Sequence, residues 1–255
     1  MPPYNVNYES KQAGKIKNDN LKAEAFLDLL RGAFESSFAV MKPGAPIYVA
    51  HADTEGLAFR SAFQSAGFKL SGCLVWAKNS LVLGRSDYQW QHEPILYGWK
   101  PGAAHRWYGG RKQTTLVDGG GSAFAVNDDG SVTVTVGGEI LIISGENLRA
   151  TPVCSSLFRA EKPRSSADHP TMKPPELIAS MLKNSTRKGD IVLDLFAGSG
   201  STLIACEAHG RLARLVELDP LFCDVIVRRW QHFTGKSAVL EATGRPFSEV
   251  ASGRT

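Results

Sequence analysis

The stretch VLDLFAGSGST, residues 192–202, decides how this chain is read. An apolar run carries Asp194 and passes straight into Phe196, Ala197, Gly198, Ser199 and Gly200, after which Ser201 and Thr202 open a helical pattern. Glycines at such a strand-to-helix turn let the backbone approach a ligand at the helix N-terminus, where unpaired N–H groups gather. The next strand-like run, RLARLVELD (211–219), ends with Glu217 and Asp219. Glu217 follows the glycines by about 20 residues, the spacing at which an acidic side chain grips a ribose diol. Many glycine turns hold nothing, so the turn alone is a weak signal. Asp194 before it and Glu217 after it make it a nucleoside site. The third glycine of a dinucleotide fingerprint is missing, as is the Gly-Lys-Ser/Thr of a phosphate loop. The pattern asks for an adenosine ligand without a pyrophosphate.

Outward from this turn the chain alternates strands and helices. PPELIASMLKNST (174–186) precedes it as a helix, DIVLDLF (190–196) is its strand, TLIACEAHG (202–210) its helix, and PLFCDVIVRRWQHFTG (220–235) a final helix. Near the start, LKAEAFLDLLRGAFESSFAVM (21–41) has Phe26, Leu29, Leu30, Ala33, Phe34 and Phe38 at helical spacing. PIYVAH (46–51) reads as a buried strand, EGLAFRSAFQSAGF (55–68) as a second amphipathic helix, and KLSGCLVWAK (69–78) as a strand. This alternation predicts a layered α/β sheet. Between about residues 80 and 168 turn residues and aromatics dominate, and SAFAV (122–126) and VTVTV (132–136) flank NDDG as a hairpin. That region is expected to be an insert carrying recognition rather than part of the sheet.

Bulk properties narrow the class. A chain of 255 residues buries one good core, so one domain with an insert is expected. Its 43% hydrophobic and 21% charged content excludes disorder and fibres. A net charge of +4 permits a polyanionic partner without demanding one. Cys73, Cys154, Cys206 and Cys223 stand singly, which argues against a zinc site or a disulfide framework and for a reducing compartment. With no leader-like start and no long apolar stretch, the expectation is a cytoplasmic protein without metal or membrane.

HPTMKP (169–174), just upstream of the glycine turn, and PPY (2–4), far upstream, bring a family into view. The chain resembles the β-type amino-group DNA methyltransferases, which act on adenine N6 or cytosine N4. The order of PPY, variable region, HPTMKP and FAGSG is that family's, and the resemblance is weakest between residues 118 and 160. The tail RRWQHFTGKSAVLEATGRPFSEV (228–250) is similar to methylases that carry an upstream ParB-like domain, often in phages and prophages.

The resemblance implies a Rossmann-like S-adenosylmethionine-dependent methyltransferase sheet. Residues 1–79 would be its catalytic half, 80–168 the variable target-recognition region, and 169–245 the cofactor-binding half of the same domain. Phe196, Ala197, Gly198, Ser199, Gly200, Ser201 and Thr202 would shape the S-adenosylmethionine pocket. Asp194 would face the methionine end, Glu217 the ribose hydroxyls, and Asp219 the adenine edge or its loop. His169, Thr171 and Lys173 would close over the methionine moiety. The target base must leave the duplex to reach the pocket. Tyr4 would then stack on it, and the carbonyls of Pro2 and Pro3 would accept from its amino group. A tyrosine at this place favours adenine N6, with cytosine N4 as the alternative. A non-catalytic remnant that binds DNA or the cofactor is a rival of another class, and a methyltransferase of RNA or of a small molecule a third. Double-stranded DNA is the implied partner, with Arg85, Arg106, Arg111 and Lys112 expected to contact it. Trp76, Trp90 and Trp99 are expected in the core, and His92 in a hydrogen-bonded turn. A restriction–modification setting, a homodimer and an N-terminal domain are also compatible with the family.

The start of the chain departs from the pattern. PPY should follow a strand ending in an acidic residue, usually Asp, and only Met1 precedes Pro2. A thioether is a poor acceptor for a base amino group. Losing that acceptor costs about 1–3 kcal/mol, roughly ten- to a hundredfold in rate. The expectation is therefore the carboxyl-terminal portion of a longer enzyme, lacking one central strand and with little activity.

Overall fold

In the computed structural model, residues 1–10, 14–82, 87–111, 113–119, 124–126, 131–136, 139–144 and 173–252 are described. Two-residue strands β1 (Glu9–Ser10) and β2 (Gly14–Lys15) pair antiparallel at the start. Helix α1 (Ala23–Val40) buries Phe26, Leu30 and Phe34, whose four-residue spacing puts them on one stripe. It stops at Met41, which is extended ahead of Pro43 and Gly44. Strand β3 (Pro46–Ala50) and a 3₁₀ turn (Asp53–Glu55) lead into α2 (Gly56–Ser65), which buries Phe59, Ala62 and Phe63. The two helices meet through edge-to-face aromatic pairs, Phe26–Phe59 at 5.8 Å and Phe34–Phe63 at 5.9 Å between ring centroids.

Strands β4 (Lys69–Val82), β5 (Trp90–Trp99) and β6 (Leu116–Gly119) join β3 in a four-stranded sheet of order β3-β5-β4-β6. Here the reading of residues 80–168 as lying outside the sheet needs correction. Trp90–Trp99 runs antiparallel to β3 on one side and to β4 on the other, in the middle of the sheet. Pro94, which argues against a central strand, is accommodated because the β3–β5 ladder ends at Ala50↔Ile95. The carbonyl of Pro94 accepts from His51 N–H just past that end. The N–H that proline lacks would face the same side, so the omission falls beyond the end of the ladder and interrupts none of its pairs.

The expected hairpin forms. Strands β7 (Phe124–Val126) and β8 (Val132–Val136) pair antiparallel, and β9 (Glu139–Ile143) adds a third strand beside β8.

The glycine turn belongs to a second layered unit. It comprises α3 (Pro175–Ser185), β10 (Ile191–Asp194), α4 (Ser201–His209), β11 (Leu212–Leu215), α5 (Pro220–Thr234) and α6 (Phe247–Ser252). Strands β10 and β11 run parallel as a sheet of two. One face packs under α3 and α4 through Ala179, Leu182, Ala205 and Cys206, with Val192 and Ala213 against them. On the other face Ile191 and Leu212 stay exposed. Helix α3 joins the two units, because its Leu177 packs with Trp76 and Ile95 of the larger sheet. A hydrogen bond of 2.7 Å between the Tyr48 and Ser185 hydroxyls ties β3 to the end of the same helix.

Candidate active site

The turn after β10 is built by backbone geometry and then braced by side chains. Gly198 (φ 55°) and Gly200 (φ 81°) both lie in the left-handed region, where a side chain is strained. A Cβ on Gly200 would also stand 3.1 Å from Ile226 of α5. Ala197 N–H donates to Val216 C=O at 3.0 Å, and Val216 N–H to Asp194 C=O at 2.9 Å, so the two strand ends hold each other. Arg229 of α5 donates to the Ser199 carbonyl and fixes the outer side of the turn.

Asp194 sits at the centre. Its carboxylate accepts from Phe196 N–H at 3.0 Å, from Thr202 Oγ1–H at 2.6 Å, and from the Met1 ammonium at 3.2 Å. Burial alone would raise its pKa. The Met1 ammonium and the hydrogen bonds from Thr202 and Phe196 outweigh that and lower it, so the side chain stays ionised. Glu217 bridges the two loops, accepting from Gly198 N–H at 2.7 Å and Asp219 N–H at 2.9 Å. Asp219 has a structural role, capping α5 through Leu221 N–H at 3.0 Å and pairing with Lys17 at 3.4 Å. Ser201 reaches the other way, donating to the Lys173 carbonyl at 2.8 Å.

The amino-terminal segment arrives at the same place. Asp19 is 3% exposed, and its side chain accepts from the amides of Tyr4, Asn5 and Tyr8, all at 2.8 Å. The Tyr4 hydroxyl donates to Glu93 at 2.8 Å and also lies 3.2 Å from the Met1 sulfur. Glu93 is the residue that the sequence reading missed. One of its oxygens takes Lys78 Nζ at 2.7 Å and the other takes Lys173 Nζ at 2.7 Å. Both ammonium groups lie over the Trp76 ring, and that of Lys173 also lies 5.3 Å from the centroid of Tyr4. Burial would raise the Glu93 carboxyl, but the two lysines hold it down at about 2. Burial and the Glu93 carboxylate together push the Tyr4 phenol well above its ordinary range. The strand register brings it there: Trp76 and Lys78 share one face of β4, and Glu93 is the register partner of Trp76. Charges alternating into a buried strand face require a partner.

The structure thus brings Pro2, Pro3, Tyr4, Lys173 and Asp194 together, with the glycine turn and Glu217. No described residue donates to the carbonyl of Pro2 or Pro3. The Lys173 side chain points to Glu93 and is buried, so it is not a solvated charge. His169 and Thr171, like Arg85 and Lys112, lie outside the described residues.

The expected DNA contacts separate. Arg106 pairs with Asp190 at 3.5 Å and its N–H donates to Gly44 C=O. Asp190 and Gly44 precede β10 and β3, so Arg106 lies at the amino ends of these strands. That is about 13 Å, one four-residue strand, from the end bearing Asp194. Arg111 is exposed a few residues further along the same segment. Lys100 is engaged by Phe38, whose carbonyl accepts its ammonium at 2.6 Å. The β4–β5 arm projects past the carboxyl end of β3, on the side of the site, and exposes Tyr88 (92%) and Trp90 (38%). Trp76 is core as expected, Trp90 is not, and Trp99 is half-buried against His105 at 4.2 Å. His92 lies on a strand, beside Trp90, rather than in a turn. Among the described residues no group of three His, Cys, Asp or Glu could hold a metal, and no helix is long and apolar enough to cross a membrane.

A parallel strand pair, a left-handed glycine turn between two carboxylates, and a proline–tyrosine segment docked beside it define the class: an α/β protein with a glycine-rich turn at the carboxyl end of a parallel strand. Residues 1–228 match the DNA methylase family of the N6 and N4 type, and the chain belongs to that family. The Type II methyltransferase M.BglII of Bacillus subtilis is 24% identical over 236 residues, which cover 88% of this chain and 60% of that protein. The chain therefore spans less than two thirds of that relative's length. The fold is shared with PvuII DNA methyltransferase, which is cytosine-N4-specific (TM-score 0.57, 13% identity, 88% of this chain, 77% of that one). It is shared also with M1.HpyAVI, solved in complex with S-adenosylmethionine (TM-score 0.52, 18% identity, 78% and 82% covered).

Proposed function

We propose that this chain binds S-adenosylmethionine at the glycine turn and transfers its methyl group to an exocyclic amino group of a base in double-stranded DNA, adenine N6 in preference to cytosine N4. The carrying observation is that Tyr4 and Asp194, 190 positions apart in the chain, are brought to one site by the Met1–Tyr4 segment. When bound, the cofactor supplies an electrophilic methyl on a sulfonium. The residues do the rest. Asp194 would hold the α-ammonium of the cofactor and Glu217 its ribose hydroxyls. The backbone at Gly198 passes close because no side chain intervenes. Tyr4 offers its ring to a base flipped out of the duplex, and the carbonyls of Pro2 and Pro3 accept from the amino group. Those acceptors would favour an amino nitrogen with an available lone pair, so no covalent intermediate with the enzyme is needed.

Tyr4 favours adenine, because a tyrosine at this position goes more often with adenine in relatives whose motif begins with aspartate. The exposed Tyr88 and Trp90 arm is the better DNA contact, since it stands at the same end as the site. The test is transfer of labelled methyl from S-adenosylmethionine to unmethylated bacterial DNA, followed by digestion and nucleoside analysis. N6-methyl-2′-deoxyadenosine is the expected product, and N4-methyl-2′-deoxycytidine would reassign the base. Calorimetric binding of the cofactor without any transfer would point to the rival reading, a binding protein without turnover.

A further inference from the structure

Tyr4 is the ring expected to meet the base, yet it lies in a segment with no regular structure, so something else must aim it. We propose that Glu93 is the positioning residue for Tyr4 and that, through Lys173, it ties the ring to the cofactor turn. The proposal rests on the reading of Tyr4 as the base-stacking residue.

The contacts form one connected chain. Glu93 accepts the Tyr4 hydroxyl at 2.8 Å, and both its oxygens are occupied by ammonium groups at 2.7 Å. The site is enclosed: Lys78 is 7% exposed, Lys173 9%, Glu93 15% and the Trp76 below them 1%. A phenol hydroxyl in such a place has one strong acceptor, and its bond pins the far end of the ring while the backbone at Tyr4 holds the near end. Lys173 carries the link onward, because its carbonyl accepts from Ser201 at the first position of α4, beside the glycine turn. A cluster of two cations and one anion leaves a surplus positive charge, which the Trp76 and Tyr4 faces stabilise. Removing the carboxylate leaves two buried ammonium groups without a counter-charge and the phenol without its acceptor.

The readouts separate positioning from mere stability. In Glu93→Gln the Tyr4 phenol loses the neighbouring negative charge. Its alkaline titration, followed by tyrosinate absorbance as the difference between chains with and without Tyr4→Phe, should fall to lower pH. Affinity for S-adenosylmethionine should stay within about threefold, whereas kcat on unmethylated bacterial DNA falls by about ten- to a hundredfold, the effect of a small misplacement at the reacting centre. An unchanged Tyr4 titration with undiminished kcat would overturn the proposal. A loss of cofactor affinity equal to the loss in kcat would do so too, by placing Glu93's effect at the other site. If the parent chain transfers no methyl, the functional reading fails and the titration alone decides the positioning role. Should Glu93→Gln not fold, Glu93→Gln/Lys78→Met restores the cluster's net charge and is read by the same two measurements.

Discussion

The two layered units are held together by different means. The larger sheet and its helices α1 and α2 are cemented by large rings: Phe26, Phe34, Phe59, Phe63 and Phe68 are all at most 4% exposed. Among the described residues, the unit bearing the glycine turn has no buried aromatic ring in its core. Ala179, Leu182, Ala205 and Cys206 fill it, and β10 leaves Ile191 65% exposed. Small residues let α3 and α4 lie close over the strands, and the turn itself is then braced by polar contacts from Asp194, Glu217, Thr202 and Arg229. One unit supplies bulk stability and the other a precise backbone. A platform for a pinned ring and a backbone turn braced by polar contacts need different interiors.

Breaking the aromatic side should have the largest effect. Phe63→Ala removes a fully buried ring and should cost roughly 3–5 kcal/mol in urea unfolding, while the folded fraction keeps its affinity for S-adenosylmethionine. The polar bracing is next. The Glu93 carboxyl titrates at about 2 in the folded chain against an ordinary 4.5. A depressed folded pKa means the stabilisation is complete above about pH 4.5 and is lost as pH falls toward 2. A shift of that size corresponds to roughly 3 kcal/mol. Urea midpoints across that window should drop less steeply in Glu93→Gln/Lys78→Met than in the parent; equal slopes would remove Glu93 from the account.

The cradle can be tested without touching the rings. Gly198→Leu puts a side chain at a left-handed position beside Glu217 and should weaken S-adenosylmethionine binding by more than a hundredfold, about 2.7 kcal/mol. Undiminished calorimetric affinity would place the ligand elsewhere. The smallest effect is expected at Arg106. Its exposed pair with Asp190 is worth about 0.2–1 kcal/mol, and Arg106→Ala should leave DNA affinity and its salt dependence nearly unchanged. Trp90→Ala should weaken DNA binding more than Arg106→Ala does, and the reverse order would move the DNA face to the amino ends of the strands.

What the sequence disclosed follows the same division. The strand bearing Asp194, the glycine turn and the helix after it were legible because they are local, three elements in unbroken succession. The helices α1 and α2 were legible because Phe26, Leu30 and Phe34 repeat at one spacing. Strand β5 was not, because Pro94 and a run of aromatic and turn-forming residues hide it. Only the end of β3 at Ala50 shows why a proline is tolerated there. The Lys78–Glu93–Lys173 cluster was illegible for another reason. Its members come from two antiparallel strands and a segment 80 residues further on, so no local pattern contains them. Arg106 shows a different limit: basic and aromatic neighbours suggested DNA contact, and composition says nothing of which end of a sheet a loop occupies.

Asp19 has one more consequence. Its carboxylate and carbonyl together take the amides of Tyr4, Asn5, Asn7 and Tyr8, while Asn5 and Leu21 exchange two further hydrogen bonds. Asn5 and Asn7 adopt left-handed backbone to allow it, a conformation asparagine tolerates better than most residues. Backbone protons of an irregular loop normally trade with solvent within seconds, since fraying segments open at almost no cost. Here four of them are bound to one nearly inaccessible residue and can leave only when Asp19 itself comes out. In deuterated buffer these four should be retained like those of β5, and Asp19→Ala should release them together, with those of β5 left behind.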